Sequence, residues 1–450
     1  MRILLTGATG FIGAQLGKAL VKEGHEIVAM VRDPSRVDLP FPAQLISWNE
    51  GRIPQIEAVI HLAGESIAGE RWSEKRKKEI LESRASTTKK LVEQLKNSGV
   101  RAQVVICASA IGYYGDRADE WLTEDSSPGR GFLAEVCVSW EQATASFATV
   151  SERIVQMRIG IVLERFGGAL VEILPLFKRG LGGTLGSGKQ WMSWIHLEDL
   201  IGMFLLALKD SRVEGQWNAV APEPVTNRDF TKILASTLKC KSFFPVPAFG
   251  LKVALGEMSA LLLASQRVKE KFRSLGFSFR YPSLDSALMA ICKNVERCRG
   301  LLTHEHRAET WLDLEPARAF QFFSDTKNLE KITPPEYELK VGSQSTVKPK
   351  EGTTFEYTMK CKNFQVSCKS HILEWVENSK MVSTHEKGPY AFWFHSLQFE
   401  RMANGTLLIE KVIYRWKYGI LGELFCQTTL KKNLTEIFCF RMKKAKELLR

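Results

Sequence analysis

Leu4-Leu5-Thr6-Gly7-Ala8-Thr9-Gly10-Phe11-Ile12-Gly13 is the stretch that decides the fold. An apolar run delivers the chain into a tight turn, and the residues beyond it, 10–23, carry the apolar spacing of a helix. Glycine at 7 permits the turn, and glycine at 10 lets the backbone approach a pyrophosphate. Glycine at 13 lets the helix pack closely on the strand, while the helix N-terminus attracts phosphate. Three glycines alone are a weak signal. Placed after the first strand of a βαβ unit, they predict a dinucleotide cradle built from Gly7, Thr9, Gly10, Phe11, Ile12 and Gly13.

Outward from this loop, short apolar runs alternate with amphipathic helical stretches for about 220 residues. Residues 2–5, 26–31, 58–62, 103–107 and 153–158 read as buried strands, and 10–23, 73–96 and 132–147 as helices. That alternation predicts an α/β, Rossmann-type doubly wound parallel sheet with helices on both faces. A more helical segment, 229–292, follows, and composition changes near residue 300: 24 aromatics fall in residues 1–299 and 20 in the remaining 151. After a helical stretch at 316–332 come strand-like runs at 353–362, 365–375, 381–385, 393–401 and 406–418, then a long helix pattern over 421–449. These predict a separate α+β domain. The expected division is 1–298, including a small C-terminal module at 243–292, and 303–450.

The chain has 450 residues and a formal net charge of +12, with 44% hydrophobic and 25% charged residues. This is a globular composition and excludes a disordered or collagen-like chain. The charge is spread, +7 over residues 1–299 and +5 over 300–450, and the basic clusters at 71–78 and 443–446 are interleaved with acids or apolar residues. No concentrated basic stripe with interleaved aromatics predicts nucleic-acid binding. The nine cysteines are scattered without a CxxC pair, which supports neither a zinc ribbon nor a disulfide framework; reduced thiols in a cytoplasm fit. The N-terminus lacks a signal-peptide pattern, and the apolar segments 200–208 and 249–268 are short or carry Lys252 and Glu257, so no membrane span is expected.

The second strand ends Met30-Val31-Arg32-Asp33. An acidic residue there would accept from the adenosine 2′-hydroxyl, whereas the Arg32 guanidinium suits a 2′-phosphate, with Arg36 able to assist. NADP(H) is the expected cofactor, and Asp33 leaves NAD open. The glycine spacing resembles that of extended short-chain dehydrogenase/reductases, which include the sugar-nucleotide epimerases. His61-Leu62-Ala63-Gly64, Ser109-Ala110-Ile111-Gly112-Tyr113-Tyr114-Gly115 and Trp194-Ile195-His196-Leu197-Glu198-Asp199-Leu200 resemble later segments of the same proteins. With Arg158-Ile159-Gly160-Ile161-Val162-Leu163 and Gly180-Leu181-Gly182-Gly183, they resemble the "epimerase family" branch over about residues 1–295. The Phe244-Pro245-Val246-Pro247 segment begins that branch's small module. The resemblance implies cofactor contacts from Leu62, Ala63, Gly64, Glu79, Arg84 and Ile161. For Glu79 and Arg84 an exposed helix ion pair is an equal alternative.

Active members of the superfamily use a Tyr-xxx-Lys pair, in which the tyrosine is general acid or base. No such pair exists: Tyr113 is followed four places on by Arg117, Tyr114 by Ala118 and Tyr281 by Asp285. Where the pair is expected, the chain reads Phe132-Leu133-Ala134-Glu135-Val136. Ser109 with Tyr113 or Tyr114 is the candidate substitute, and His196 a further candidate that is more readily structural.

From Ala308 the chain resembles START-like (SRPBCC, helix-grip) ligand-binding domains. The resemblance rests on 315–323, Asn328-Leu329-Glu330-Lys331-Ile332-Thr333-Pro334-Pro335, 388–395 and Asn404-Gly405-Thr406. It implies an antiparallel sheet curled around a long C-terminal helix, with an apolar cavity lined by Tyr390, Trp393, His395 and Trp416. Aromatic core packing is the alternative for each. His304-Glu305-His306 has no third ligand at useful spacing and reads as a linker, so no metal is expected. Two functions fit: an atypical NADP(H)-dependent oxidoreductase or epimerase of a small-molecule substrate that the sequence does not name, fused to a module that binds an apolar ligand or substrate, or a binding protein that senses cofactor or lipid without turnover.

Overall fold

The computed structural model describes residues 1–240, 245–293, 303–361, 364–417 and 429–449. They form two compact units, Met1–Val37 with Ala43–Arg297, and Asp38–Pro42 with Cys298–Arg450.

In the first unit the strands are β1 (Arg2–Thr6), β2 (Glu26–Val31), β3 (Gln44–Ser47), β4 (Ala58–His61), β5 (Ala102–Ala110), β6 (Ser151–Ile159) and β7 (Gly215–Ala219). They pair in the order β7-β6-β5-β4-β1-β2-β3, and every neighbouring pair is parallel. Crossover helices α1 (Phe11–Lys22), α2 (Glu74–Asn97), α3 (Phe132–Thr144) and α4 (Leu197–Lys209) connect them. Ile3, Leu4 and Leu5 are wholly buried, as a strand covered on both faces requires. Leu4, Val59 and Val105 pack with Leu91, Leu95 and Phe147 in one core cluster. This is the expected doubly wound sheet, with the strand order reversing direction beside β1, where such folds bind ligands. The sequence pattern missed β3 and β7. In β7, Asn218 is buried because its polar atoms are satisfied: its backbone N–H donates to Glu124 at 2.9 Å and its side chain to the Lys269 carbonyl at 3.0 Å. Helices Ala248–Leu255, Ala260–Leu263 and Leu284–Cys292 follow. Phe244, the start of the expected module segment, lies outside the described residues.

In the second unit the strands are β8 (Thr303–Leu312), β9 (Lys340–Gln344), β10 (Thr354–Cys361), β11 (Phe364–Val376), β12 (Lys380–Lys387), β13 (Tyr390–Met402) and β14 (Gly405–Trp416), followed by helix α5 (Thr429–Leu449). The sheet is antiparallel throughout, in the order β8-β14-β13-β12-β11-β10-β9. Leu434 and Phe438 of α5 pack on Val412, Tyr414 and Trp416. The expected helix at 316–332 is two helices, Pro316–Ser324 and Thr326–Lys331, because Asp325 between them accepts the Lys327 N–H at 3.0 Å and caps the second. His304-Glu305-His306 is part of β8 rather than a linker: Glu305 pairs with Lys411 at 3.0 Å and His304 stacks on Tyr414. The first eight residues of the expected terminal helix, 421–428, lie outside the described residues.

Candidate functional site

The site is built on the carboxyl ends of β1, β2, β4 and β5. Gly7 has φ +72°, and a Cβ there would lie 2.8 Å from the Leu62 carbonyl carbon, so β4's exit closes directly on the turn. A Cβ on Gly13 would lie 2.1 Å from the Gly7 carbonyl oxygen. Gly10, the N-cap of α1, makes no side-chain cap bond, and no acidic residue occupies the first turn. The free amides of the helix start therefore face no competing carboxylate, and the cradle fits a pyrophosphate. Thr9 and Gly10 are exposed there, and Phe11 is partly buried. The Phe11 ring fills the space where Gly167 has no side chain, since a Cβ on Gly167 would approach it to 2.0 Å. Ile12 is half-buried beside it in the first turn of α1. Ile161 opens a short strand after β6 and donates its N–H to the Ser193 carbonyl at 2.9 Å.

A buried hydrogen-bond chain fixes the backbone at Leu62 and Ala63, just before Gly64. The Thr6 hydroxyl oxygen accepts from the Leu62 and Ala63 N–H groups, both at 3.2 Å. Its proton is then free for His61 Nδ1 at 2.7 Å. Thr88 donates to the Arg84 carbonyl at 2.7 Å, so its oxygen accepts from His61 Nε2–H at 3.0 Å. These partners assign the neutral Nε2–H tautomer to His61. Complete burial pushes its pKa down to about 4, in keeping with that form. The unfolded chain takes up this proton near the ordinary value of 6.5 and the folded chain near 4. Stability is thus intact above pH 6.5 and declines as pH falls through that window, by about 3 kcal/mol from this residue. Urea unfolding at pH 7.5 and 4.5 checks it. His61→Gln shows a smaller loss between the two pH values than the parent chain; equal losses contradict the assignment.

Arg32, at the end of β2, is exposed and ion-paired with Glu65, and this bond to Arg32 is the main cause that holds Glu65 below the usual carboxylate range. Arg36 pairs with Asp33 at 3.1 Å. Glu79 pairs with Arg76 at 3.2 Å, the helix ion pair given as its alternative role. Arg84 is buried below Gly64: its Nη2 donates to the Glu65 carbonyl at 2.9 Å, and its guanidinium lies 5.1 Å from the centre of the Trp140 ring.

At the end of β5 the candidate acid/base residues separate. Ser109 is 3% exposed and donates to Glu141 Oε1 at 2.7 Å. Arg158 clamps the same carboxylate with two bonds of 2.9 Å. Tyr114 is 0% exposed, donates to Asn218 at 2.7 Å and accepts from Arg158 at 2.9 Å; burial pushes its pKa up to about 12. Its hydroxyl is a structural link with no open face, which differs from the expectation of a proton donor. Tyr113 is partly exposed, with Arg158 3.6 Å from its ring centre. His196 caps α4 by accepting the Glu198 N–H at 3.1 Å and packs against the tilted Tyr281 ring, which is a structural role. Glu141 and Arg158 were not foreseen. An arginine inside the apolar run 155–163 was the available signal, since a charge in a buried strand needs a partner.

In the second unit, Tyr390, Trp393 and His395 line a cavity between the sheet and α5. Trp416 does not line it; it packs against Tyr390 with ring centres 4.9 Å apart, as a core residue. Among the described residues, no cluster of three or more metal-ligating side chains occurs, and no helix is long and apolar enough to cross a membrane.

Residues 3–135 match the NAD dependent epimerase/dehydratase family, and residues 246–291 match a domain of unknown function, DUF1731. The chain is 39% identical over 302 residues to the chloroplastic "Epimerase family protein SDR39U1 homolog" of Arabidopsis thaliana, covering 65% of this chain and 86% of that protein. It is 34% identical over 299 residues to human SDR39U1, covering 65% and 99%. The crystal structure of human SDR39U1 isoform 2 with NADPH superposes with a TM-score of 0.60 at 33% identity, covering 65% of this chain and all of that one. MoeE5 in complex with UDP-glucuronic acid and NAD, at 22% identity and a TM-score of 0.53, shares the fold. The cradle, the parallel sheet and these similarities together place this chain in the epimerase family, among the SDR39U1-like proteins that carry a DUF1731 segment.

Proposed function

We propose that the chain is an NADP(H)-dependent oxidoreductase or epimerase of an atypical kind, with a START-like domain at 303–450 that takes an apolar ligand or substrate. The first domain is 1–298, with its small module at 243–292. The observation that carries the cofactor reading is Arg32, an exposed guanidinium at the tip of β2 beside a phosphate-fitting glycine cradle. The NADPH in the human SDR39U1 structure supports it.

When bound, a nicotinamide cofactor supplies or accepts a hydride. The chain's own contribution is position and proton transfer. Gly7, Gly10 and Gly13 seat the pyrophosphate, and the Thr6–His61–Thr88 chain sets the Leu62–Ala63 backbone beneath the ribose. Tyr113 is the proton donor best placed for exchange, because Ser109 and Tyr114 are committed to Glu141, Asn218 and Arg158. That same commitment favours the second reading, a cofactor-binding protein without turnover; NADPH consumption in the presence of a carbonyl substrate separates the two.

Fluorescence titration tests the cofactor reading. NADPH binds more tightly than NADH, and Arg32→Asp removes about 10- to 100-fold of that preference, the worth of a charge-assisted hydrogen bond. Glu65→Gln, which frees Arg32 from its ion pair, strengthens NADPH binding. Equal affinity for NADPH and NADH in the parent chain overturns the role of Arg32.

A further inference from the structure

The cavity in the second unit has a volume of about 140 Å³. Most of its wall is apolar, with Leu329, Phe355, Met359, Ile372 and Ile437 prominent. Among the ionisable side chains that interrupt that wall are His385 of β12, His395 of β13, Glu410 of β14 and Arg441 of α5. Glu410 is 1% exposed. Its Oε1 accepts from Arg441 Nη1 at 2.9 Å and from His395 Nε2 at 2.7 Å. Among the described residues its Oε2 has no hydrogen-bond partner, nor have Arg441 Nε and His385 Nδ1. Burial alone would raise the Glu410 pKa, but Arg441 and His395 outweigh it and hold the carboxyl below its ordinary range, as a carboxylate. A buried charged pair with one acceptor and one donor left over is rare in native proteins and calls for a partner.

The chemistry of that partner follows from charge and size. Glu410 and Arg441 offset one another, so the pair offers no net charge to an ion, and the apolar wall makes any ion costly to desolvate. A carboxylate oxygen only accepts, so a neutral hydroxyl can donate its proton to Oε2 without bringing a charge into the apolar wall. As for size, an apolar protein cavity of about 150 Å³ is filled by benzene. We propose that this cavity takes a neutral apolar molecule of about one ring bearing a hydroxyl, which donates to Glu410 Oε2. The proposal rests on the reading of the second domain as an apolar-ligand module and specifies its ligand class.

The test uses the full chain and two probes of equal shape, p-cresol and p-xylene, which differ by a hydroxyl in place of a methyl. Calorimetric titration gives p-cresol an affinity about tenfold or more above p-xylene. Glu410→Gln narrows that gap. The double variant Glu410→Met with Arg441→Met, which removes both charges at once and keeps apolar volume, reverses it. A thermal melt on each variant establishes folding, and the comparison in the parent chain needs no variant at all. Equal affinity for the two probes overturns the hydroxyl site while leaving the apolar cavity standing. Binding of neither probe overturns the apolar-ligand reading together with it.

Discussion

Arg158→Met lowers the stability of the folded chain by about 3–5 kcal/mol, the cost of leaving a buried charge without its partner. Arg158 and Glu141 are 3% and 10% exposed at their side chains, so neither can turn to water when the other is removed. Arg158 also donates to the Tyr114 hydroxyl at 2.9 Å and to the Glu124 carbonyl at 3.0 Å, so its loss orphans several polar groups at once. Glu141→Gln has the same sign, because it leaves the guanidinium buried with a neutral neighbour. The double variant, Glu141→Met with Arg158→Met, loses far less than the sum of the single changes, since no uncompensated charge remains. Urea denaturation of the four proteins reads all of this. Additive losses mean that the two residues do not act as a pair.

Gly13→Ala is the largest expected change at the cofactor loop. The added Cβ would sit 2.1 Å from the Gly7 carbonyl oxygen and 2.8 Å from its carbon, both backbone atoms that no side-chain rotation can clear. α1 therefore lifts from the turn, and the amides that would face the pyrophosphate shift with it. Overpacking of this kind costs about 2–3 kcal/mol. Falling on the cradle itself, it weakens NADPH roughly 30- to 150-fold. Gly51→Ala, with nothing within 4 Å of its added Cβ, is the matched control. NADPH affinity within threefold of the parent's in Gly13→Ala would show that the cofactor does not rest on this turn.

The same loop was legible in the sequence because its requirement is local. A tight turn and a close helix approach can be met only by glycine, so 7, 10 and 13 announce themselves. The parallel sheet was legible for a similar reason, since its doubly buried strands are continuous apolar runs. What escaped were elements whose polarity is answered from far along the chain. β8 carries His304, Glu305 and His306, yet it is a strand because Lys411 and Tyr414 lie across from it, about 100 residues away. β7 was hidden in the same way by Asn218, and Ser109 looked free because Glu141, 32 residues on, carries no motif. The Tyr113-Tyr114 pair shows the limit most plainly. Two identical side chains, adjacent in sequence, meet opposite surroundings, one half-exposed and one sealed. The seal comes from Arg158 and Asn218, on different strands, and no local pattern encodes that.

The pairing of β8 with β14 also sets an order of events during synthesis. Every strand between them can find a neighbour soon after it emerges, because β9 through β14 are joined consecutively. β8 alone waits, since Thr303–Leu312 has its partner in Thr406–Arg415. On the ribosome the first strand of the second unit stays open while nearly the whole of that unit is translated, and its closure is a slow, long-range step. The first unit's sheet is complete once β7 has appeared, well before that step begins. A nascent chain stopped short of residue 405 therefore pairs a finished α/β sheet with an open strand edge, the state most exposed to wrong partners and most in need of a chaperone.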